Sequence, residues 1–427
     1  MAVTETFQAL REAQFRRVWA AGLVSSTGDW MQIVGRSYLA FSLTGRAESV
    51  GIVYFAAYAP QLVFSLWGGV LADRFDRRRL LLGTQVIAAA GAVGFGLLTT
   101  TGSATVANVA VASFVLGIAQ MLSIPAMQAL MPSVVPRDAL SSAISLSTAT
   151  NSLARVVGPL LAALVIGGIG IEWVFWANAV SFVAVIVAWL VTRVPRPPAM
   201  AESRSLAAIG AALWYVRSTP TVAVPIVAST FLMAVGVVYQ PLAVVFTTDV
   251  LAHGSRSLGS DYYGWYQAAI GVGAAVGILA SAGPGRRHPA RTFLMTAIGY
   301  SVAVTVLGLT SSLGPALAVV CVVGALHFAN VTLGLNLVQH EVPEEMRGRV
   351  MAIHMIGLVG VVPITALVGG LVADAIGIRQ TFVVGGLACL AFSLLLVRWR
   401  RFLRVAEVEP ETPETVSEIG VVVNEDL

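Results

Sequence analysis

Three ionisable side chains stand in stretches that are otherwise almost free of charge. Asp29 and Arg36 lie in GLVSSTGDWMQIVGRSYLAF, and Arg155 lies in LSTATNSLARVVGPLLAALV. In hydrocarbon each such group costs about 2.5–3.5 kcal/mol at a helix centre, so it is retained for a reason. A carboxylate can take up and release a proton, whereas a guanidinium stays charged. The chemistry this trio suggests is proton-coupled ion-pair exchange. Asp29 would pair with Arg155 or Arg36 when ionised and release its partner when protonated. That exchange shifts a conformational equilibrium only if the two states bind the proton differently. A static buried ion pair is the alternative.

Softer candidates surround the trio. Tyr54, Tyr58 and Gln61 follow the i, i+4, i+7 spacing that shares one helix face, where they could line a cavity or pack between helices. Tyr239, Gln240 and Pro241 should unwind a helix locally and free its backbone, which is tolerated only inside protein or along a cavity. His327 and His354 could shuttle protons or be buried, hydrogen-bonded histidines. Cys321 and Cys389 sit in apolar runs and read as buried small hydrophobes. No His-Glu-x-x-His, no paired Asp-x-x-x-Asp and no Gly-x-x-x-x-Gly-Lys loop occurs, so a membrane-embedded enzyme has no catalytic or metal cluster to use.

The elements that position these groups follow from composition. The 427 residues are 57% hydrophobic and only 11% charged, against about 25% charged in soluble domains. From Leu80 to Pro136 there is no Asp, Glu, Lys or Arg, with a turn-like TTTGSAT near the middle. A bilayer core needs about 20 apolar residues per helix, so this run is two membrane passes. The same logic along the chain predicts twelve helices, over 18–43, 49–72, 80–100, 104–130, 142–169, 173–192, 221–247, 262–283, 292–311, 314–338, 350–375 and 381–398. The N-terminus lacks a cleavable-signal pattern, so the first segment is expected to remain as an anchor.

All 26 basic residues are arginine. On this topology 21 of them fall on one face, including Arg11, Arg16 and Arg17, the cluster Arg74 to Arg79, and Arg398 to Arg404; Arg46, Arg256 and Arg379 fall on the other. Positive charge stays cytoplasmic, which predicts both termini inside and explains the pI without invoking nucleic acid. The two halves also match: Val135-Pro136 with Val342-Pro343, Ile169-Gly170-Ile171 with Ile376-Gly377-Ile378, and Phe175 with Phe382, each 207 residues on. That offset maps Asp29, Arg36 and Arg155 onto the uncharged Gly236, Ala243 and Val362. A scaffolding role should recur in both halves, so the three charges read as chemistry. The expected domains are a cytoplasmic segment 1–17, a six-helix bundle 18–192, a linker 193–220 with an interfacial helix, a second bundle 221–398, and an acidic disordered tail 399–427. In the linker Leu206, Ile209, Leu213 and Val216 form one stripe.

GGVLADRFDRR resembles the loop between helices two and three of the major facilitator superfamily, matching at Gly69, Leu71, Ala72, Asp73, Arg74, Arg77 and Arg78. Asp76 stands where that pattern has glycine, which puts the turn there in question. FRRVWAAGLVSSTGDWMQ, NSLARVVGPLLAALVIGGIG and VPEEMRGRVMAIHM with GGLVADAIG resemble helices one, five and eleven of the enterobactin-exporter and drug-exporter branch, the transmembrane secretion effectors. The resemblance implies an all-α polytopic fold of twelve transmembrane helices in two pseudo-symmetric six-helix bundles. It implies that Asp73 latches the cytoplasmic side against the start of helix eleven near Arg349, where a helix N-terminus favours an anion. It also implies that Gly158-Pro159 is the antiporter motif that bends helix five.

The expectation is therefore a secondary transporter in a bacterial plasma membrane, with both termini cytoplasmic. It would export amphiphilic small molecules, antibiotic- or siderophore-like, by alternating access, using the proton gradient and no cofactor or metal, and functioning as a monomer. An importer or a lipid flippase of the same superfamily is the alternative. One Asp against two membrane Arg leans toward neutral or anionic cargo.

Overall fold

The computed structural model describes residues 7–74, 76–192, 206–282, 288–399 and 403, with the side chains of 63–74, 129, 206–209 and 282 outside that description. Among the described residues every element is helical. The first half holds α1 (Ala13–Thr44), α2 (Ala47–Arg74), α3 (Arg77–Thr100), α4 (Val106–Leu130), α5 (Leu140–Gly168) and α6 (Glu172–Val191). A short α7 (Leu206–Ser218) precedes the second half. There follow α8 (Pro220–Leu251), α9 (Arg256–Ala282), α10 (Pro289–Leu309), α11 (Leu313–Glu341), α12 (Glu344–Ile376) and α13 (Ile378–Arg398).

Local chemistry sets the ends. Gly45 terminates α1 in the left-handed region at φ 69°, which a Cβ would strain, so α2 can start two residues later. Thr105 and Asn108 form a reciprocal capping box at the start of α4. Asp76 caps α3: its carboxylate accepts the Arg79 N–H at 2.9 Å. Its φ of −58° asks for no glycine. The departure from the family's turn glycine is thus a helix cap. The repeated Ile-Gly-Ile turns both need their glycine, with φ 115° at Gly170 and 92° at Gly377.

Ten helices among the described residues, α3 to α6 and α8 to α13, are long and apolar enough to cross a membrane. Their outward faces are apolar, as at Leu164, Val180 and Leu279, each at least 70% exposed. A soluble protein would not carry so much contiguous apolar surface. α1 and α2 are also long, but α1 carries Arg16, Arg17, Asp29 and Arg36 within its length.

The packing repeats as the sequence does. In the first half α2 lies on α4, and α3 lies on α4 and α6; in the second, α9 lies on α11, and α10 lies on α11 and α13. The halves meet through the equivalent pairs α2 with α12 and α5 with α9. Small residues permit both contacts: a Cβ on Gly51 would lie 2.5 Å from the Ala366 carbonyl, and one on Gly264 would lie 2.3 Å from the Ala163 Cβ. The glycines of α9 act in this way throughout, with Gly273 and Gly277 each against an α11 backbone carbonyl.

α7 divides the expected stripe, with Val216 against protein and Leu213 outward. Ala212 and Val216 are buried against Val222, Ile226 and Val338, while Leu213 and Trp214 are exposed. The apolar residues of α7 wrap more than one face, and the one that meets protein carries the small Ala212. The linker residues 193–205 and the tail beyond 403 lie outside the described residues.

Candidate functional site

Asp29 sits half-buried on α1, and its direct partner is Asn178 of α6. The Asn178 amide donates to Asp29 Oδ1 at 3.4 Å and to Gln32 Oε1 at 2.8 Å, while Asn178 Oδ1 accepts the Ser181 hydroxyl at 2.7 Å. Gly28 makes room for this, since a Cβ there would lie 2.2 Å from Asn178 Oδ1. Among the described residues no guanidinium lies within ion-pair distance of Asp29; Arg36, two turns on, acts on it only through space. The expected direct pairing with Arg155 or Arg36 is therefore absent here, and a neutral amide takes its place.

Arg155 is held by aromatic faces. Its guanidinium carbon lies 5.0 Å from the Trp30 ring centre on α1 and 4.6 Å from that of Phe328 on α11. Such contacts are worth about 0.5–2 kcal/mol each, more as they lose water. One face comes from each half of the chain, so Arg155 stands at the junction. Its Nε is buried without a partner. α5 reaches α1 this closely because of Gly158, whose Cβ would meet the Trp30 Cβ at 2.6 Å; the adjacent Pro159 lies within α5, its carbonyl against Gly264.

Arg36 is buried, with Tyr54 and Tyr263 close enough to feel its charge. Tyr54 and Tyr58 stack with ring centres 4.8 Å apart, and both lie near Arg155. Gln61, one turn further, has a buried Oε1 without a partner. On the opposite side, α8 breaks where Tyr239-Gln240-Pro241 placed it: a π turn over Leu232–Gly236 and a 3-10 turn over Val237–Tyr239 lead into an unwound segment. The freed Tyr239 carbonyl accepts the Tyr266 hydroxyl at 3.2 Å. Tyr239 meets His327 edge-on at 6.1 Å, and His327 meets Tyr300 at 5.3 Å. Gln240 is half-buried beside them.

The structure thus gathers Arg36, Arg155, Tyr54, Tyr58, Tyr239 and His327 around one junction, with Asp29 bonded to α6 of its own half. His354 does not join them. It is buried elsewhere in α12, its two ring nitrogens without partners, beside Gly334 and Ser229. A separate apolar recess of about 400 Å³ opens between α1, α5 and α6, walled by Leu23, Met31, Leu153 and Val157 and reaching Gly28 and Ser181.

The side chains of Gly69, Asp73 and Arg74 in the expected latch lie outside the described residues, although the backbone is helical to Arg74. Arg349 is exposed. Arg78 donates to the Trp189 and Leu190 carbonyls at 2.8 and 2.9 Å, closing the C-terminal end of α6, and Arg77 begins α3. Asn178, Phe328 and Tyr263 went unnoticed in the sequence. An asparagine inside the apolar WVFWANAVSFVAV was the signal for the first. Nothing local marks Phe328 or Tyr263, because each acquires its role by contact across the two halves.

A helical membrane body with internally repeated packing and a charged, tyrosine-lined junction between its halves defines a transporter. The profile of the transmembrane secretion effector family matches residues 4–424, and the chain belongs to that family of the major facilitator superfamily, whose members are transporters and not enzymes. It is 27% identical over 389 residues to the multidrug efflux pump Tap of Mycolicibacterium fortuitum, covering 88% of this chain and 93% of Tap. It is 26% identical over 376 residues to the enterobactin exporter EntS of Salmonella choleraesuis, covering 87% and 86%. Among solved structures the fold matches the nucleoside transporter NupG with TM-score 0.73 at 14% identity, over 92% of this chain and all of that one. A bacterial homologue of the lysosomal transporter Spinster, in an inward-facing conformation, matches with TM-score 0.68 at 17% identity, over 92% and 96%.

Proposed function

We propose that the protein is a proton-coupled exporter of amphiphilic small molecules, built as two six-helix bundles that alternate access to a site between them. The observation that carries this is the state of Asp29. A carboxylate in the membrane, bonded to an amide and unpaired with either nearby guanidinium, can gain or lose a proton without breaking a salt bridge. When ionised it feels the Arg36 guanidinium on its own helix. When protonated it leaves Arg155 to its aromatic faces and to cargo. Export, rather than import, follows the names of the relatives, an efflux pump and an exporter.

Two guanidiniums against one carboxylate give the junction a positive bias, and stacked tyrosines offer flat apolar faces with polar rims. Cargo that is neutral or anionic and partly aromatic suits that lining. The arginine asymmetry favours cytoplasmic termini in a bacterial plasma membrane. The test is counterflow and gradient-driven accumulation in everted vesicles, with catecholate, macrolide and fluoroquinolone probes. Asp29→Asn should abolish accumulation driven by a pH gradient while retaining probe binding and counterflow. Accumulation by Asp29→Asn that equals the parent's would remove the coupling role.

A further inference from the structure

One carboxylate binds the two halves together at the end that carries the α1–α2 turn. Asp374, in the last turn of α12, accepts the backbone N–H of Ala47 on Oδ1 at 2.9 Å and that of Glu48 on Oδ2 at 3.0 Å. Those are orphan donors of the first turn of α2, where a helix also presents its positive dipole end. Arg46 reaches the same carboxylate at 3.4 Å and Glu48 at 2.6 Å. Arg46 is 61% exposed, so its ion pairs add little beside the two amides. The backbones come close because Gly370 has no side chain: a Cβ there would lie 2.7 Å from the Ala47 carbonyl oxygen and 3.1 Å from its carbon.

The residues around Asp374 are Gly369-Gly370-Leu371-Val372-Ala373-Asp374, and those that end α2 are Gly68-Gly69-Val70-Leu71-Ala72-Asp73. Both helices therefore finish in Gly-Gly-x-x-Ala-Asp. They run antiparallel, since the start of α2 meets the end of α12. Asp374 therefore faces the N-terminal end of α2, and the matching sequence that ends α2 lies at the opposite end of the pair. We propose that Asp374 is the gating carboxylate of the external end, the reciprocal of Asp73 at the cytoplasmic end, and that the two contacts form in turn. This rests on the alternating-access reading above. In it, the described structure has the external contact made.

The purified full-length chain, with Cys321→Ala and Cys389→Ala, is spin-labelled in nanodiscs at one of two pairs of exposed positions. Ser103 and Ser311 report the external end; Arg137 and Glu345 report the cytoplasmic end. Distances are read by pulsed electron resonance across pH 5 to 8. Asp374→Asn should shift the external pair toward the long-distance population, lowering the closed-to-open ratio by about fivefold to thirtyfold, the effect of losing one to two kcal/mol. Gly370→Ala, which leaves the carboxylate intact and wedges the same contact, should shift it in the same direction. The cytoplasmic pair should shorten in both. If the parent shows two populations whose ratio moves with pH, while neither substitution changes that ratio, the gate is refuted and alternating access stands. A parent with one unchanging population at both ends sinks alternating access and the gate together.

Discussion

Gly158→Ala perturbs the site by a single methyl group at the contact that places Trp30 under Arg155. The new Cβ would lie 2.6 Å from the Trp30 Cβ, 2.9 Å from the Thr27 carbonyl oxygen and 3.3 Å from the Met31 amide nitrogen. None of these atoms is the free end of a flexible side chain. Ordinary contact begins near 3.4 Å, so α1 and α5 must separate by about 0.8 Å at this point. Overpacking of that kind costs about 1–3 kcal/mol. Alanine's better helix propensity returns about 0.5–1 kcal/mol. The net expectation is a loss of about 1 kcal/mol, within a range of about 0–2.5 kcal/mol, with Trp30 drawn off the Arg155 guanidinium. Gly94, within α3, is the control, because a Cβ there meets nothing within 4 Å. Gly94→Ala should gain about 0.5–1 kcal/mol from propensity alone. Denaturant titration of the detergent-solubilised protein reads both signs, and gradient-driven accumulation in everted vesicles reads the site. Gly158→Ala that matches the parent in stability and accumulation, or Gly94→Ala that does equal harm, would refute the reasoning.

Asp76→Ala should cost about 1 kcal/mol by removing the cap of α3, whereas Asp76→Gly, which restores the family's residue, should cost only a few tenths; thermal unfolding in one detergent separates the two. Asn178→Ala strips the donor from the buried Gln32 amide oxygen and from Asp29, and should cost about 1–3 kcal/mol. Beyond that stability loss, Asn178→Ala should slow gradient-driven accumulation more than counterflow, since only the former cycles the Asp29 proton. Equal losses in the two assays would assign Asn178 to packing alone.

The membrane helices were legible because each is a local property: apolar runs, turn residues between them, and a repeat that recurs 207 residues on. The unwinding of α8 was legible for the same reason, since Pro241 removes a donor at a fixed place. What was not legible concerned faces and partners. The α7 stripe groups Leu213 with Val216, whereas the surface that fits against α12 takes Val216 with the small Ala212 and leaves Leu213 exposed. Asp29 was matched to arginines by charge, whereas the structure gives it an amide from α6. Asp374 drew no attention because GGLVADAIG lacks the arginines that make its counterpart conspicuous. Its significance lies in two backbone N–H groups more than three hundred positions away, which no local pattern announces.

The way Arg155 is held bears on how the halves move. A carboxylate partner inside the membrane would neutralise it and lock the junction, because breaking a buried pair by moving one partner away typically costs 3–5 kcal/mol. Aromatic faces hold the guanidinium without neutralising it, and each contact is worth about 0.5–2 kcal/mol. Since Trp30 belongs to one half and Phe328 to the other, a relative motion that separates the halves gives up one face and keeps the second. The charge is then never stranded, and its contribution to the conformational balance stays within the few kcal/mol by which one conformation of such a protein exceeds another. A flat anionic ligand entering between the rings could replace the lost face, and an ionised Asp29 could supply the charge. Under the coupling proposed above, cargo and the Asp29 negative charge would then compete for the same guanidinium. That competition is the physical form exchange would take at this site.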